Sequence, residues 1–181
     1  FSIGRYDAAE RTLLKAVEIF ERDPKFFAAA LATALVNLGQ TYYITGRYAL
    51  SVMTLNRSLA LTGQAYAEPS QLEAAARLHK GYVELRLGNW ADARGELQRA
   101  IEIWQMGGTF NERGAAGASV WLARVERRLG EMASAEHQLD LADSVFRKLF
   151  GNNAYSLTDV LLERAELAIS RGQGVEAVRF A

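Results

Sequence analysis

The 181-residue sequence contains no cysteine, so it offers no disulfide, no thiolate metal site and no cysteine nucleophile. It has only two prolines, and half of its residues are hydrophobic, which is typical of an ordered protein rich in helices. Basic and acidic residues both number 21, so no net charge is available to hold nucleic acid or an anionic membrane. Electrostatic recognition would therefore require a local patch.

Catalytic and cofactor motifs are missing as well. The only histidines, His79 and His137, lie far apart and lack the partners of a catalytic triad or a metal site. The glycines of MGGTFNERGAAGAS lack the Gly-Lys-Ser/Thr ending of a phosphate-binding loop. We therefore expect no enzymatic activity, no cofactor and no metal. The opening FSIGRYDAAE has neither an initiator methionine nor a signal peptide, which favours a fragment of a longer protein.

One uncharged stretch, FFAAALATALVNLGQTYYITG at residues 26–46, is long enough to cross a bilayer as a helix. A repeat that runs through it argues against a membrane span. Five segments align without a gap, each beginning at a glycine that lies 42 residues after the previous one: Gly4, Gly46, Gly88, Gly130 and Gly172. Large and small side chains keep the same register after each glycine.

The register predicts pairs of helices. Alternating large and small residues after each glycine follow the spacing of one helical face, and small residues let a neighbouring helix approach closely. Each glycine can adopt the positive φ of a tight turn between a helix A before it and a helix B after it. The sequence therefore predicts an all-α protein with helices near residues 5–22, 25–45, 48–62, 70–87, 90–106, 111–129, 132–150, 156–171 and 174–181.

The stretch LVNLGQTYYITGRYALSVMTLNRSL carries a known signature. Leu38, Gly39 and Tyr42, followed by Ser51 and Leu55, resemble the tetratricopeptide repeat, although the period is eight residues longer than the usual 34. The longer period is similar to that of kinesin light chains and of bacterial signalling proteins. The resemblance implies a right-handed α-solenoid of antiparallel helix pairs, with residues 1–181 forming a single array.

The resemblance also implies a binding groove. In tetratricopeptide proteins, one stripe of the A helices lines a concave groove that binds extended or helical peptides. Positions nine, six, three and two before each turn glycine form that stripe here. The predicted groove residues are Asn37, Gln40, Tyr43, His79, Tyr82, Arg86, Trp121, Arg124, Arg127, Arg128, Glu163 and Glu166.

The arginines of this stripe suggest a ligand. We expect Arg86 to converge with the three arginines of residues 124–128 in the middle of the groove, beside aromatic rings. Guanidinium groups pair with carboxylates, so an acidic peptide segment or a C-terminal carboxylate would fit. The alternative is that this arginine run only pairs with Glu126, Glu163 and Glu166.

The leading functional hypothesis is a non-catalytic protein-interaction scaffold within a larger cytoplasmic regulatory or signalling protein. Its expected partner is a protein or peptide, with no role for nucleic acid or membrane. A second hypothesis is a structural spacer, or a self-association segment that pairs through exposed terminal residues such as Ile19 and Phe20. A third is an effector-sensing domain of a multidomain regulator.

Overall fold

A computed structural model describes residues 3–106, 111–152 and 155–180. Every regular element in these ranges is an α-helix, as predicted. The helices are α1 (Ile3–Phe20), α2 (Ala28–Ile44), α3 (Tyr48–Ala65), α4 (Gln71–Leu87), α5 (Trp90–Gln105), α6 (Glu112–Arg128), α7 (Met132–Phe150), α8 (Ser156–Ser170) and α9 (Gly174–Phe180). Their ends agree with the predicted ends to within three residues, apart from the predicted end at Ala181, which lies outside the described ranges.

Four of the five aligned glycines make the predicted turns. Gly46, Gly88, Gly130 and Gly172 have φ between 75° and 83°, which strains any residue with a Cβ. At the first of these turns the Gly46 N–H donates to the Tyr43 carbonyl at 3.0 Å and the Arg47 N–H to the Tyr42 carbonyl at 2.8 Å. This pair of bonds is a Schellman motif, which satisfies carbonyls at the end of the helix. The prediction of a turn at Gly4 is wrong, because Gly4 lies in the first turn of α1.

The chain forms two compact units, Phe1–Leu87 and Gly88–Ala181. In the first unit α2 packs against α1, α3 and α4. Leu55 of α3 is fully buried against Gly39 of α2, where an added Cβ would lie 2.7 Å from Leu55 Cγ. Ser51 Oγ donates to the Gly39 carbonyl at 2.7 Å and Ser58 Oγ donates to the Ala32 carbonyl at 2.9 Å. The small residues of helix B thus bring the two backbones together, as the register predicted.

The second unit packs α6 against α5, α7 and α8, and α8 against α9. One apolar cluster joins α6, α7 and α8, with fully buried Ala123 and Leu139 at the positions that Gly39 and Leu55 hold in the first unit. Its other buried members are Ala116, Val120, Ala135, Ala142, Phe146, Leu157, Val160 and Leu167. The same helix-pair packing therefore occurs in both units. A single continuous array over residues 1–181 stays a prediction.

The uncharged stretch at residues 26–46 contains α2, whose Leu31, Leu35 and Leu38 are buried in the first unit. Across the described ranges, no helix combines the length and the apolar character needed to cross a membrane. The low charge of α2 instead serves its contacts with three neighbouring helices.

Candidate functional site

The predicted stripe of the first unit lies on α2 and α4, which contact each other. Asn37 and Arg86 are exposed. The other four side chains are half-buried, namely Gln40, Tyr43, His79 and Tyr82. All six are thus at least partly accessible to a ligand. We call these six residues the α2/α4 face.

Aromatic rings form a continuous row on this face. The ring centroids of Tyr43 and Tyr82 are 6.1 Å apart, and those of Tyr82 and His79 are 5.6 Å apart in an edge-to-face arrangement. Tyr48, at the start of α3, extends the row, with its ring 6.0 Å from that of Tyr43. Arg86 Nε donates to the Tyr48 hydroxyl at 3.4 Å, which places a cation at this end of the row. Tilted and edge-to-face contacts of this kind hold the rings in place.

His79 is neutral at physiological pH. Burial lowers its pKa from 6.5 to about 4, because the charged imidazolium would lose hydration. A neutral imidazole offers one hydrogen-bond donor and one acceptor to a ligand. Among the described residues, no group of three or more histidine, aspartate or glutamate side chains is placed to hold a metal ion.

In the second unit the predicted stripe contains an ion-pair network centred on Glu163 of α8. Its carboxylate is only 1% exposed and accepts a hydrogen bond on each oxygen. Arg124 Nε donates to Oε2 and Arg127 Nε donates to Oε1, both at 2.7 Å. Arg127 also reaches Glu166 at 3.8 Å and Ser170 Oγ at 3.5 Å. Charge-assisted bonds of this geometry are strong, and they fix both guanidinium groups.

Trp121 is half-buried beside this network, with the Arg124 guanidinium 4.5 Å from the centre of its ring. The neighbouring Leu122 occupies the inward position at 2% exposure, so the predicted register holds on α6. Arg128 is exposed. Trp121, Arg128 and the outer edge of Arg124 are therefore the accessible parts of this stripe.

Arg124 and Arg127 thus pair with glutamates, as the alternative interpretation of the arginine run proposed. Glu163 and Glu166 are the partners, whereas Glu126 is buried and its Oε2 makes no hydrogen bond to the protein. Glu163 lies beneath the arginines and positions them instead of lining an open surface. The convergence of Arg86 with the α6 arginines joins residues of both units and stays a prediction.

A family model described as tetratricopeptide repeat matches residues 1–64. The match covers about a third of the chain and lies within the first unit. No curated protein matches it. Among solved structures, BtubC (BKLC) from P. vanneervenii is similar over 99% of this chain and 71% of its own, with 18% sequence identity and a TM-score of 0.77.

Two structures of TPR-like repeats from a kinesin light chain candidate of Podosopora anserina are similar at 17% identity over 98% of this chain. A single-substitution variant is covered over 84% of its length with a TM-score of 0.79, and the other over 90% with a TM-score of 0.68. At these identities the likeness establishes the fold and no specific activity. The predicted resemblance to kinesin light chain repeats is confirmed.

Tetratricopeptide repeats generally mediate protein–protein interactions and are typically non-catalytic. In the tetratricopeptide register of the first unit, Leu38, Gly39 and Tyr42 face inward and are buried, as expected of helix A. The stripe on the other side of the same helix carries Asn37, Gln40 and Tyr43. The repeat thus separates a packing face from an accessible one.

Two features of the helix-pair units were missed from sequence. Tyr48 belongs to helix B and still joins the aromatic row, because it lies directly after the turn that follows Tyr43. The aligned aromatic residues two places after the first three glycines, Tyr6, Tyr48 and Trp90, were the available signal. The buried Glu126 occupies the register position of Tyr42, four residues before the turn glycine, and that alignment could have revealed it.

Proposed function

We propose that this chain is a non-catalytic interaction module that binds a segment of a partner protein on the α2/α4 face. The observation that carries this proposal is the row of half-buried rings formed by Tyr48, Tyr43, Tyr82 and His79. Tyrosine rings offer a large contact area and lose little conformational entropy on binding, which makes them frequent anchors of interfaces.

The polar residues around the row suggest what the partner segment contains. Asn37 and Gln40 present amides that can pair with a peptide backbone, and Arg86 lies at the end of the row as an exposed cation. A segment with an apolar or aromatic side chain followed by an acidic one fits this order of groups. On this face, the predicted acidic character of the partner segment therefore depends on Arg86.

In the second unit, we propose a lesser role for the arginines. Each oxygen of Glu163 already accepts a bond from Arg124 or Arg127, so a ligand carboxylate would compete with a buried protein carboxylate. Trp121 and Arg128 are the residues through which this part of the stripe would contact a partner.

A peptide selection tests the proposal. The full chain is used to select binders from a random peptide display library, and the binders are synthesised with a fluorophore. Their affinities are compared for wild type, Asn37→Ala and Tyr82→Phe, and for Met53→Ala as a control, because Met53 is 68% exposed on α3. We expect Asn37→Ala to weaken binding about tenfold or more, Tyr82→Phe to weaken it less, and Met53→Ala to leave it unchanged.

Circular dichroism spectra and melting curves of each variant confirm that the fold is retained. Selected peptides that bind equally well to wild type and Asn37→Ala, but lose affinity for Met53→Ala, would place the binding site on another surface. A selection that yields no peptide above background would contradict the proposal.

Self-association is the second candidate function. Ile19 is 52% exposed and could contribute to such a contact, whereas Phe20 packs on Phe27 with ring centroids 5.4 Å apart. This packing leaves Phe20 less available than predicted. The mass in solution, measured by light scattering for wild type and Ile19→Asp, tests the idea, since only a contact through Ile19 would be lost in the variant.

The wider context follows from the proposed role. A module of this kind would serve as the interaction segment of a larger cytoplasmic regulatory or signalling protein, and an effector-sensing role is the further alternative. Co-purification of the full gene product with its partners from cells, with and without Asn37→Ala, would connect the α2/α4 face to that context.

A further inference from the structure

Two ion pairs occupy the same register positions with their charges exchanged. One position lies on helix B, six residues after one of the five aligned glycines, and the other is the residue directly after the next aligned glycine. In the first unit these positions hold Glu10 and Arg47, and in the second unit they hold Arg94 and Glu131.

The first pair is bidentate. Arg47 Nη1 and Nη2 donate to the two oxygens of Glu10 at 2.8 and 2.7 Å, and Arg47 Nε donates to Thr45 Oγ1 at 3.0 Å. The guanidinium also lies 4.6 Å from the centre of the Tyr42 ring. The hydrogen bond from Arg47 lowers the pKa of Glu10. A fork-to-fork pair supported on an aromatic ring has a defined geometry, unlike most surface ion pairs.

The second pair has the opposite polarity. Arg94 Nη2 of α5 lies 2.5 Å from Glu131 Oε1, which belongs to the turn before α7. Glu126 takes the register position of Tyr42, and it is a carboxylate with 3% exposure. The turn side of this junction therefore presents two carboxylates, whereas the turn side of the first junction presents a guanidinium over an aromatic ring.

A third junction, between α7 and α8, differs again. Glu136 holds the helix B position, but its partner is Arg171, which lies directly before Gly172 and donates to Glu136 at 2.7 Å. The same arginine donates to the Met132 carbonyl at 3.1 Å. This junction has the polarity of the first one but a cation shifted by two residues along the turn.

We propose that these ion pairs specify which helix pair α1, α5 and α7 each accept, so that these helices pack in their order along the chain and not with another repeat. The idea goes beyond the proposed binding function and does not depend on it. The repeats share one packing pattern of large and small residues, so the apolar contacts alone discriminate weakly between a correct and an incorrect neighbour.

The exchanged charges supply that discrimination. If α1 packed against α6 and α7, the helix pair that follows α5, Glu10 would face the carboxylates of Glu126 and Glu131. If α5 packed against the pair that normally follows α1, Arg94 would face Arg47. Both incorrect pairings place like charges in contact and remove a partner from a partly buried ion, which disfavours them against the native order.

An exchange of the first pair tests the proposal in the full chain. The variants are Glu10→Arg, Arg47→Glu and the double exchange, and stability is measured by urea denaturation followed by circular dichroism. We expect each single variant to lower the folding equilibrium constant about tenfold or more and the double exchange to restore it to within about threefold of wild type. If the losses of the two single variants simply multiply in the double exchange, the pair is not coupled and the proposal fails.

The double exchange also gives both junctions the same polarity. We therefore expect it to be stable but to form more oligomer than wild type when refolded at high concentration. The reason is that α1 of one copy then also accepts the α6 and α7 pair of another copy. The control is the exchange of Glu21 and Arg57, an exposed ion pair outside these positions. Light scattering after size-exclusion chromatography measures the oligomer. An oligomer fraction equal to that of wild type or of the control would overturn the proposal.

Discussion

Replacing Glu163 with glutamine tests the central ion-pair network of the second unit. The wild-type carboxylate is 1% exposed and accepts one charge-assisted bond from each of Arg124 and Arg127. Glutamine keeps the shape and one acceptor but removes the charge and points an amide donor at one guanidinium. The side chain of Arg127 is itself only 9% exposed, so its charge would remain without a full partner.

Breaking a buried ion pair on one side costs about 3–5 kcal/mol. The Arg124 side chain is 29% exposed and can recover hydration, so we expect the lower end, about 3 kcal/mol. For a protein of this size that loss corresponds to a fall in Tm of roughly 6–12 °C. All three tryptophans, Trp90, Trp104 and Trp121, lie in the second unit, so tryptophan fluorescence during urea denaturation reports on this unit.

The matched control is Glu166→Gln. Its side chain is 49% exposed and lies 3.8 Å from Arg127, so we expect a loss below about 0.5 kcal/mol. If Glu163→Gln changed the free energy of unfolding by no more than this control, the network would not stabilise the unit. Its arginines would then be available to a ligand after all.

Three further predictions follow from single positions. Gly39→Ala should lower the free energy of unfolding by roughly 1–2 kcal/mol, because overpacking against Leu55 exceeds the gain in helix propensity. Gly95→Ala, which has open space around it, should raise the free energy of unfolding by up to about 1 kcal/mol, and urea denaturation compares the two variants. The pKa of His79 is lower in the folded state than in the unfolded state, so its contribution to stability should disappear as pH falls from about 6.5 to about 4. The free energy of unfolding, measured over this pH range, should change by roughly 1–3 kcal/mol less in His79→Gln than in wild type. Burial raises the pKa of Glu126, so the folded state holds that proton more tightly and stability should fall as pH rises through the raised pKa; Glu126→Gln should flatten this slope, and an unchanged slope would contradict it.

Much of the helix-pair fold could be predicted from the sequence. The 42-residue period, the turn glycines and the alternation of large and small residues are local or periodic features, so each of them can be read without knowing the tertiary structure. Gly4 was mistaken for a turn because a glycine in the first turn of a helix and a glycine before a helix look alike when no preceding helix is visible.

The candidate site was only partly predictable. Helical geometry predicted Tyr43, Tyr82 and His79 on one stripe, because a 100° rotation per residue fixes which side chains share a stripe, and their rings lie next to one another. It could not decide whether the arginines of α6 are accessible or paired. That depends on the distance between α6 and α8 and on the burial of Glu163, which no spacing within one helix reveals.

The sequence by itself determined the repeat, the helices and the division of each helix into a packing side and an accessible side, because these follow from periodicity along one chain. Only the tertiary structure decided which charges meet. Glu10 with Arg47, Arg94 with Glu131 and Arg124 with Glu163 are between 37 and 39 residues apart in sequence, and ion pairing depends on distance and burial in space.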